Sequence, residues 1–308
     1  MFKSLSPTMS AHRRAVLQAL LVTFLWSTSW VLIKIGLVEL PALTFAGLRY
    51  TLACLCLLPL FLRSPAAAAL RNLAPGQWGR LALLGVVMYT LTQGAQFLAL
   101  TLLPTVTVNL ALSLTSIVVA LLGIGLLGER SSRVQWAGII ISVVGAVVYL
   151  YPVQLAGNMA LGMGVAVLGM VSNAAASLLG RSINRSSALP PLAVTVVSMG
   201  IGGPLLLVGG LLQQPWPALS WSHWLIVAWL AVVNTAFAFT LWNHTLRTLS
   251  AAESSVINNS MLVQIPLLAV IFLGESLSAQ EVAGLAVAVV GMLAVQLGGR
   301  RTTVRKAA

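Results

Sequence analysis

Ten apolar runs of about twenty residues follow one another along the chain, and nearly all the charge is confined to the short segments between them. A helix of that length rises about 30 Å, the thickness of a bilayer's hydrocarbon core. Only 7% of the 308 residues are charged, against about a quarter in ordinary soluble domains. The net charge of +12 would suit nucleic acid, but the basic residues flank the apolar runs instead of forming one patch. The sequence therefore predicts an all-α polytopic membrane protein with spans near 15–36, 41–62, 80–102, 104–127, 134–151, 159–180, 190–212, 222–243, 250–273 and 280–298. Pro41, Pro104 and Pro190 open spans, where a missing N–H is harmless.

Orientation follows from the loops. Fifteen of the seventeen Lys and Arg residues fall at the termini or in alternate connections, and the intervening connections contain none. Basic loops stay cytoplasmic, so both termini are expected inside. Trp216, Trp221 and Trp224 suit an outer interfacial belt. Reading the amino terminus as a cleaved signal peptide would leave nine crossings and break the repeat described next.

Shifting the sequence by 146 residues aligns positions 78–145 with the second half without a gap, giving eighteen identities in sixty-eight positions. Gly128-Glu129 meets Gly274-Glu275, and Val143-Val144-Gly145 meets Val289-Val290-Gly291. The expected units are 1–152 and 153–308, each of five helices. Because five is odd, the second copy must enter the membrane from the opposite side. Two inverted halves can gate one central site from both faces, which is the architecture of alternating access.

The run Trp26-Ser27-Thr28-Ser29-Trp30 with Lys34, the Arg49-Tyr50 pair, and Gly-Glu after the fourth and ninth spans resemble the ten-helix EamA-like branch of the drug/metabolite transporter superfamily. The resemblance covers the whole chain. It implies a basket of eight helices around a central cavity with the fifth and tenth peripheral, and export of small metabolites or amino acids from the bacterial inner membrane. Within the branch the chain looks most like the aromatic amino-acid exporters.

Polar side chains in hydrocarbon are costly, so they either glue helices or line a cavity. Tyr89, Gln93 and Gln96 fall on one stripe of the third helix, and Asn109, Ser113 and Ser116 on one stripe of the fourth. The 146-residue shift carries these onto Thr235, Phe239 and Trp242, and onto Ser255, Asn259 and Leu262. Together with Asn234 and Trp26, which lies near mid-membrane, they are the expected cavity lining, with interhelical hydrogen bonding as the competing role. Trp30 fits the cavity or the lipid interface equally, and Ser172 and Asn173 occupy the mirror position in the sixth helix. Aromatic faces would hold a ring-bearing solute, and neutral amides its ammonium and carboxylate groups.

Lys34 and Arg49 are the two cations outside the inner clusters, and Glu39 lies close to both in sequence. Glu39 pairing with Lys34 or Arg49 would make an outer gate; otherwise the cations snorkel to the headgroups. Glu129 and Glu275 read as structural residues at helix ends.

No carboxylate lies in the middle third of a span, no Asp exists, and Cys54 and Cys56 point to different helix faces. These facts disfavour a proton-relaying carboxylate, a metal site, a cofactor, and the nucleophile–base dyad of a membrane-embedded enzyme. The absence of a Walker sequence argues against a built-in ATPase. The expected partners are a small-molecule solute and the lipid bilayer, with no nucleic acid, in a monomer or a homodimer. The predicted activity is secondary transport, by export of amino acids or other neutral metabolites and drugs.

Overall fold

The structure is a computed structural model describing residues 11–127, 132–152, 157–186, 189–246, 248–249 and 251–303. Among the described residues ten helices are long and apolar enough to cross a bilayer: α1 (Ala11–Gly36), α2 (Ala42–Leu62), α3 (Pro75–Leu102), α4 (Thr105–Leu122), α5 (Arg133–Leu150), α6 (Asn158–Gly180), α7 (Pro191–Gln213), α8 (Trp221–Trp242), α9 (Val256–Leu273) and α10 (Ala279–Gln296). Proline sets several starts, with Pro41, Pro104 and Pro190 directly preceding α2, α4 and α7. Serine sets others. Ser132 Oγ accepts the Gln135 amide at 3.2 Å ahead of α5, and its repeat mate Ser278 accepts the Glu281 amide at the same distance ahead of α10.

Packing follows the repeat. α1 packs on α8 and α9, and its counterpart α6 packs on α3 and α4, giving two three-helix groups that meet where α4 touches α9. Two tight pairs, α2 with α7 and α5 with α10, join the halves.

The α5–α10 pair reveals their relation. A Cβ on Gly145 would overlap the Ala288 amide and the Gly284 carbonyl; one on Gly291 would overlap the Ser142 amide and the Gly138 carbonyl. Under the 146-residue shift these are the same contact with the partners exchanged, so the two helices meet through a self-complementary surface. The register also runs backwards: Gly138 faces Val295, whereas Tyr149 faces Gly284. A two-fold that superposes antiparallel helices lies perpendicular to them, in the membrane plane.

Two departures from regular helix also recur. α3 contains a π-helical segment, Val86–Gln93, and α8 contains one starting at the equivalent residue, Val232–Phe237. Thr92 and Thr235 each donate a hydroxyl hydrogen bond to the carbonyl five residues earlier, at 2.8 Å in both cases. α4 breaks at Leu114 and α9 at Ser260, again 146 residues apart. At both breaks the bonding tightens to i→i−3: Leu114 N–H to Ala111 O and Ile117 N–H to Leu114 O, mirrored by Ser260 to Ile257 and Val263 to Ser260.

Candidate functional site: a polar cavity between two helix breaks

A cavity of about 450 Å³ lies between the breaks of α4 and α9. On the α4 side it is lined by Asn109, Ser113, Thr115 and Ser116, and on the α9 side by Asn258, Asn259, Met261 and Leu262. α6 adds Asn173 and Ser177, α1 adds Trp30, and α10 adds Met292 and Gln296. All the polar lining groups are neutral. Its volume is that of an ordinary small-molecule site.

Helix direction and burial together place its mouth, since Ser177 and Asn258 are exposed whereas Trp30, Asn109 and Ile265 are buried. Ser116, Ser177, Asn258 and Gln296 lie in those halves of their helices that point to the face where α1 begins, here termed the terminal face. Trp30, Asn109 and Ile265 close it toward the opposite, distal face. Asn109 is 5% exposed and its Nδ2 has no hydrogen-bond partner, as is also true of Asn259 Nδ2. An unpaired buried amide costs about 1–3 kcal/mol, so both positions keep hydrogen-bonding capacity for something else.

Asn109, Ser113 and Ser116 of the α4 stripe line this cavity, as do Asn259 and Leu262 of the α9 counterpart; the side chain of Ser255 lies outside the described residues. The α3 and α8 stripes go elsewhere. Tyr89 packs against Tyr50 with ring centroids 5.4 Å apart, and Gln93 Oε1 accepts from Tyr50 Oη at 2.6 Å. Trp242 stacks on Trp26 at 5.3 Å, with Phe239 at 5.4 Å from the same ring. Each stripe keeps one face, but that face meets a neighbouring helix: Tyr89 and Gln93 both meet Tyr50 of α2, and Phe239 and Trp242 both meet Trp26 of α1. Asn234 is glue, donating from Nδ2 to the Leu25 carbonyl and to Thr28 Oγ1 and so tying α8 to α1.

Trp26, expected in the cavity, packs on α8, and Trp30, which suited cavity and lipid interface equally, lines the cavity. Four residues advance a helix by one turn plus about 40°, enough to point Trp26 at α8 while Trp30 reaches the cavity. Ser177 and Asn258 went unnoticed in the sequence, although Ser177 falls one turn beyond Asn173 and Asn258 adjoins Asn259. Gln296 and Met292 show that the tenth helix is not wholly peripheral.

The charges form no Glu39–Lys34 or Glu39–Arg49 gate. Glu39 Oε2 instead meets His223 Nε2 at 3.1 Å. The Ser220 amide donates to His223 Nδ1 at 3.2 Å, so Nδ1 accepts and Nε2 carries the proton toward Glu39. Lys34 Nζ donates to the carbonyls of Leu100 and Leu103, at 2.5 and 2.8 Å. Arg49 is buried, with Nε donating to Thr235 Oγ1 at 3.1 Å and its guanidinium 5.2 Å from the Tyr50 ring centroid. Glu275 is more than a turn residue: its carboxylate accepts the first two amides of α4, Thr105 at 2.6 Å and Val106 at 3.1 Å. Glu129 lies outside the described residues. Among the described residues no cluster of His, Cys, Asp or Glu could hold a metal ion.

Among the described residues, ten apolar helices whose α5–α10 seam has a two-fold perpendicular to the helices, with a neutral polar cavity between mirrored helix breaks, are the architecture of a polytopic membrane transporter. The chain belongs to the EamA-like transporter family, whose sequence profile matches it twice, over residues 13–151 and 160–297. It is 26% identical over 286 residues to a protein of Escherichia coli K12 described as the uncharacterized inner membrane transporter YedA, with 89% of this chain and 88% of that one covered. The proteins of the same description from E. coli O6:H1 and O157:H7 match equally. A solved crystal structure shares the fold, with a TM-score of 0.65 at 22% identity over 94% of this chain and 99% of that one.

Proposed function

We propose that the protein is an inner-membrane secondary carrier that exports small net-neutral metabolites by alternating access, with amino acids bearing apolar or aromatic side chains as the solutes of best fit. The observation that carries this reading is the cavity lining: neutral amides and hydroxyls on α4, α6 and α9, apolar surface from Met261, Leu262 and Ile265, and one aromatic ring, Trp30. A charged solute would be desolvated there with no opposite charge among the lining residues to meet it. A zwitterion can spread its two charges over amide and hydroxyl dipoles, and weak binding of that kind also permits release.

Alternating access is supported by the mirrored breaks, each a local i→i−3 tightening at which a helix can bend. The clustering of basic residues supports termini on the cytoplasmic side, which makes the cavity's mouth the loading side for export. The test is a counterflow screen of all amino acids with purified protein in proteoliposomes. Saturable exchange of neutral amino acids is expected, strongest for Trp, Phe or Leu. Preference for dianionic sugar phosphates, or flux that does not saturate, would refute the reading.

A further inference from the structure

The cavity lining is neutral, whereas beyond its distal end two charged side chains bridge the two helix groups. Lys34, near the end of α1, and Glu275, just past α9, both belong to the α1–α8–α9 group. Both reach the turn between α3 and α4, which belongs to the other group. They form no ion pair with each other; each binds backbone instead. Lys34 Nζ takes the carbonyls of Leu100 and Leu103 at the end of α3, and Glu275 takes the amides of Thr105 and Val106 at the start of α4.

The signs match the helix ends they meet. The C-terminus of a helix carries partial negative charge and its N-terminus partial positive charge, so the cation sits on α3 and the anion on α4. Charge-assisted bonds to backbone are among the stronger hydrogen bonds in proteins. Gly274, with φ of 66°, ends α9 in the left-handed region and turns the chain into Glu275.

From this geometry we infer that Lys34 and Glu275 are the latch of the distal gate, holding the two three-helix groups together at the face away from the cavity mouth by gripping the α3–α4 turn from both sides. This rests on the alternating-access reading above. For the cavity to open distally, the ends of α1 and α9 must leave the α3–α4 turn and these four bonds must break.

The test uses the full chain without Cys54 and Cys56, with Ser113→Cys as a cavity reporter and a membrane-impermeant maleimide applied from either face. With the latch intact, labelling proceeds from the terminal face. Glu275→Gln or Lys34→Met should raise the labelling rate from the distal face about tenfold, as loss of charge-assisted bonds shifts the population. Lys34→Arg, which keeps the charge and the donors, should restore the original pattern.

The decisive variant is the exchange Lys34→Glu with Glu275→Lys. A simple ion pair would survive it, but a latch on two helix ends of fixed polarity becomes repulsive at both, so distal labelling should exceed that of either single variant. An unchanged distal rate in Glu275→Gln, rescue by the exchange, or loss of labelling from both faces would overturn the inference. Labelling needs no solute, so absence of saturable flux in the wild-type protein would refute the carrier reading and leave the latch result standing.

Discussion

Arg49 and Thr235 are joined at 3.1 Å in the buried interior, and Thr235 passes the interaction on to the Leu230 carbonyl at 2.8 Å across the π turn of α8. The next residue, Tyr50, bonds Gln93 in the mirrored π turn of α3. Two consecutive residues of α2 therefore tie together the irregular turns of both halves. No carboxylate among the described residues pairs with Arg49. Removing its hydroxyl partner in Thr235→Val should destabilise the protein by about 1–3 kcal/mol, the cost of an unsatisfied buried donor. In an Arg49→Met background the same change should cost much less. Thermal unfolding of the four proteins in a double-mutant cycle measures the coupling.

The α5–α10 contact predicts equal penalties at equivalent sites. Gly145→Ala and Gly291→Ala should each lower stability by about 1–3 kcal/mol through overpacking against backbone, read as a fall in melting temperature. Gly164→Ala, where an added methyl meets nothing within 4 Å, should leave it unchanged or slightly raised.

Cavity residues and glue residues should separate in paired assays. Asn109→Ala removes an amide whose Nδ2 is unpartnered, so it should leave the melting temperature unchanged or slightly raised while lowering solute affinity by about 1 kcal/mol, a typical hydrogen bond. Asn234→Ala should do the reverse, losing about 1 kcal/mol of interhelical bonding with solute preference intact. Trp30→Ala should impair ring-bearing solutes more than small ones, and Trp26→Ala should not discriminate between them. Equilibrium binding and thermal unfolding on the same preparations check all four.

A proton gradient should have little influence. The described cavity lining carries no carboxylate or imidazole, so a pH step across proteoliposomes should change the initial exchange rate of a neutral amino acid only slightly. Uphill accumulation driven by protons alone would contradict this and make His244 the first residue to replace.

The fold was legible because its signals are long-range averages: span length, loop charge and a gapless repeat survive any local irregularity. The site was legible only in part. The stripe of Asn109, Ser113 and Ser116 falls on regular helix down to Ser113 and the break beyond it is tight, so its phase holds. The stripe of Tyr89 and Gln93 also keeps one face, but that face meets Tyr50 of α2, a neighbour that the residues of α3 alone do not reveal. Lys34 and Glu275 stood out as charges, but their acceptors and donors are backbone groups of another helix pair, which side-chain identities do not reveal. Trp26 and Trp30 share a helix face to within about 40°, a difference that only the positions of α4 and α8 convert into two environments.

Gly145 and Gly291 each occupy the gap left by the other's helix, and that reciprocity bears on how such a chain could arise. A surface that recognises its own inverted image needs no second sequence. Two separate copies of one five-helix polypeptide, inserted in opposite directions, could form the same seam before any gene fusion joined them. Fusion then fixes the stoichiometry and frees the halves to diverge: one copy keeps Asn109 where the other has Ser255, and Ser113 where the other has Asn259. The walls of the cavity can thereby become chemically unequal while the seam remains symmetric.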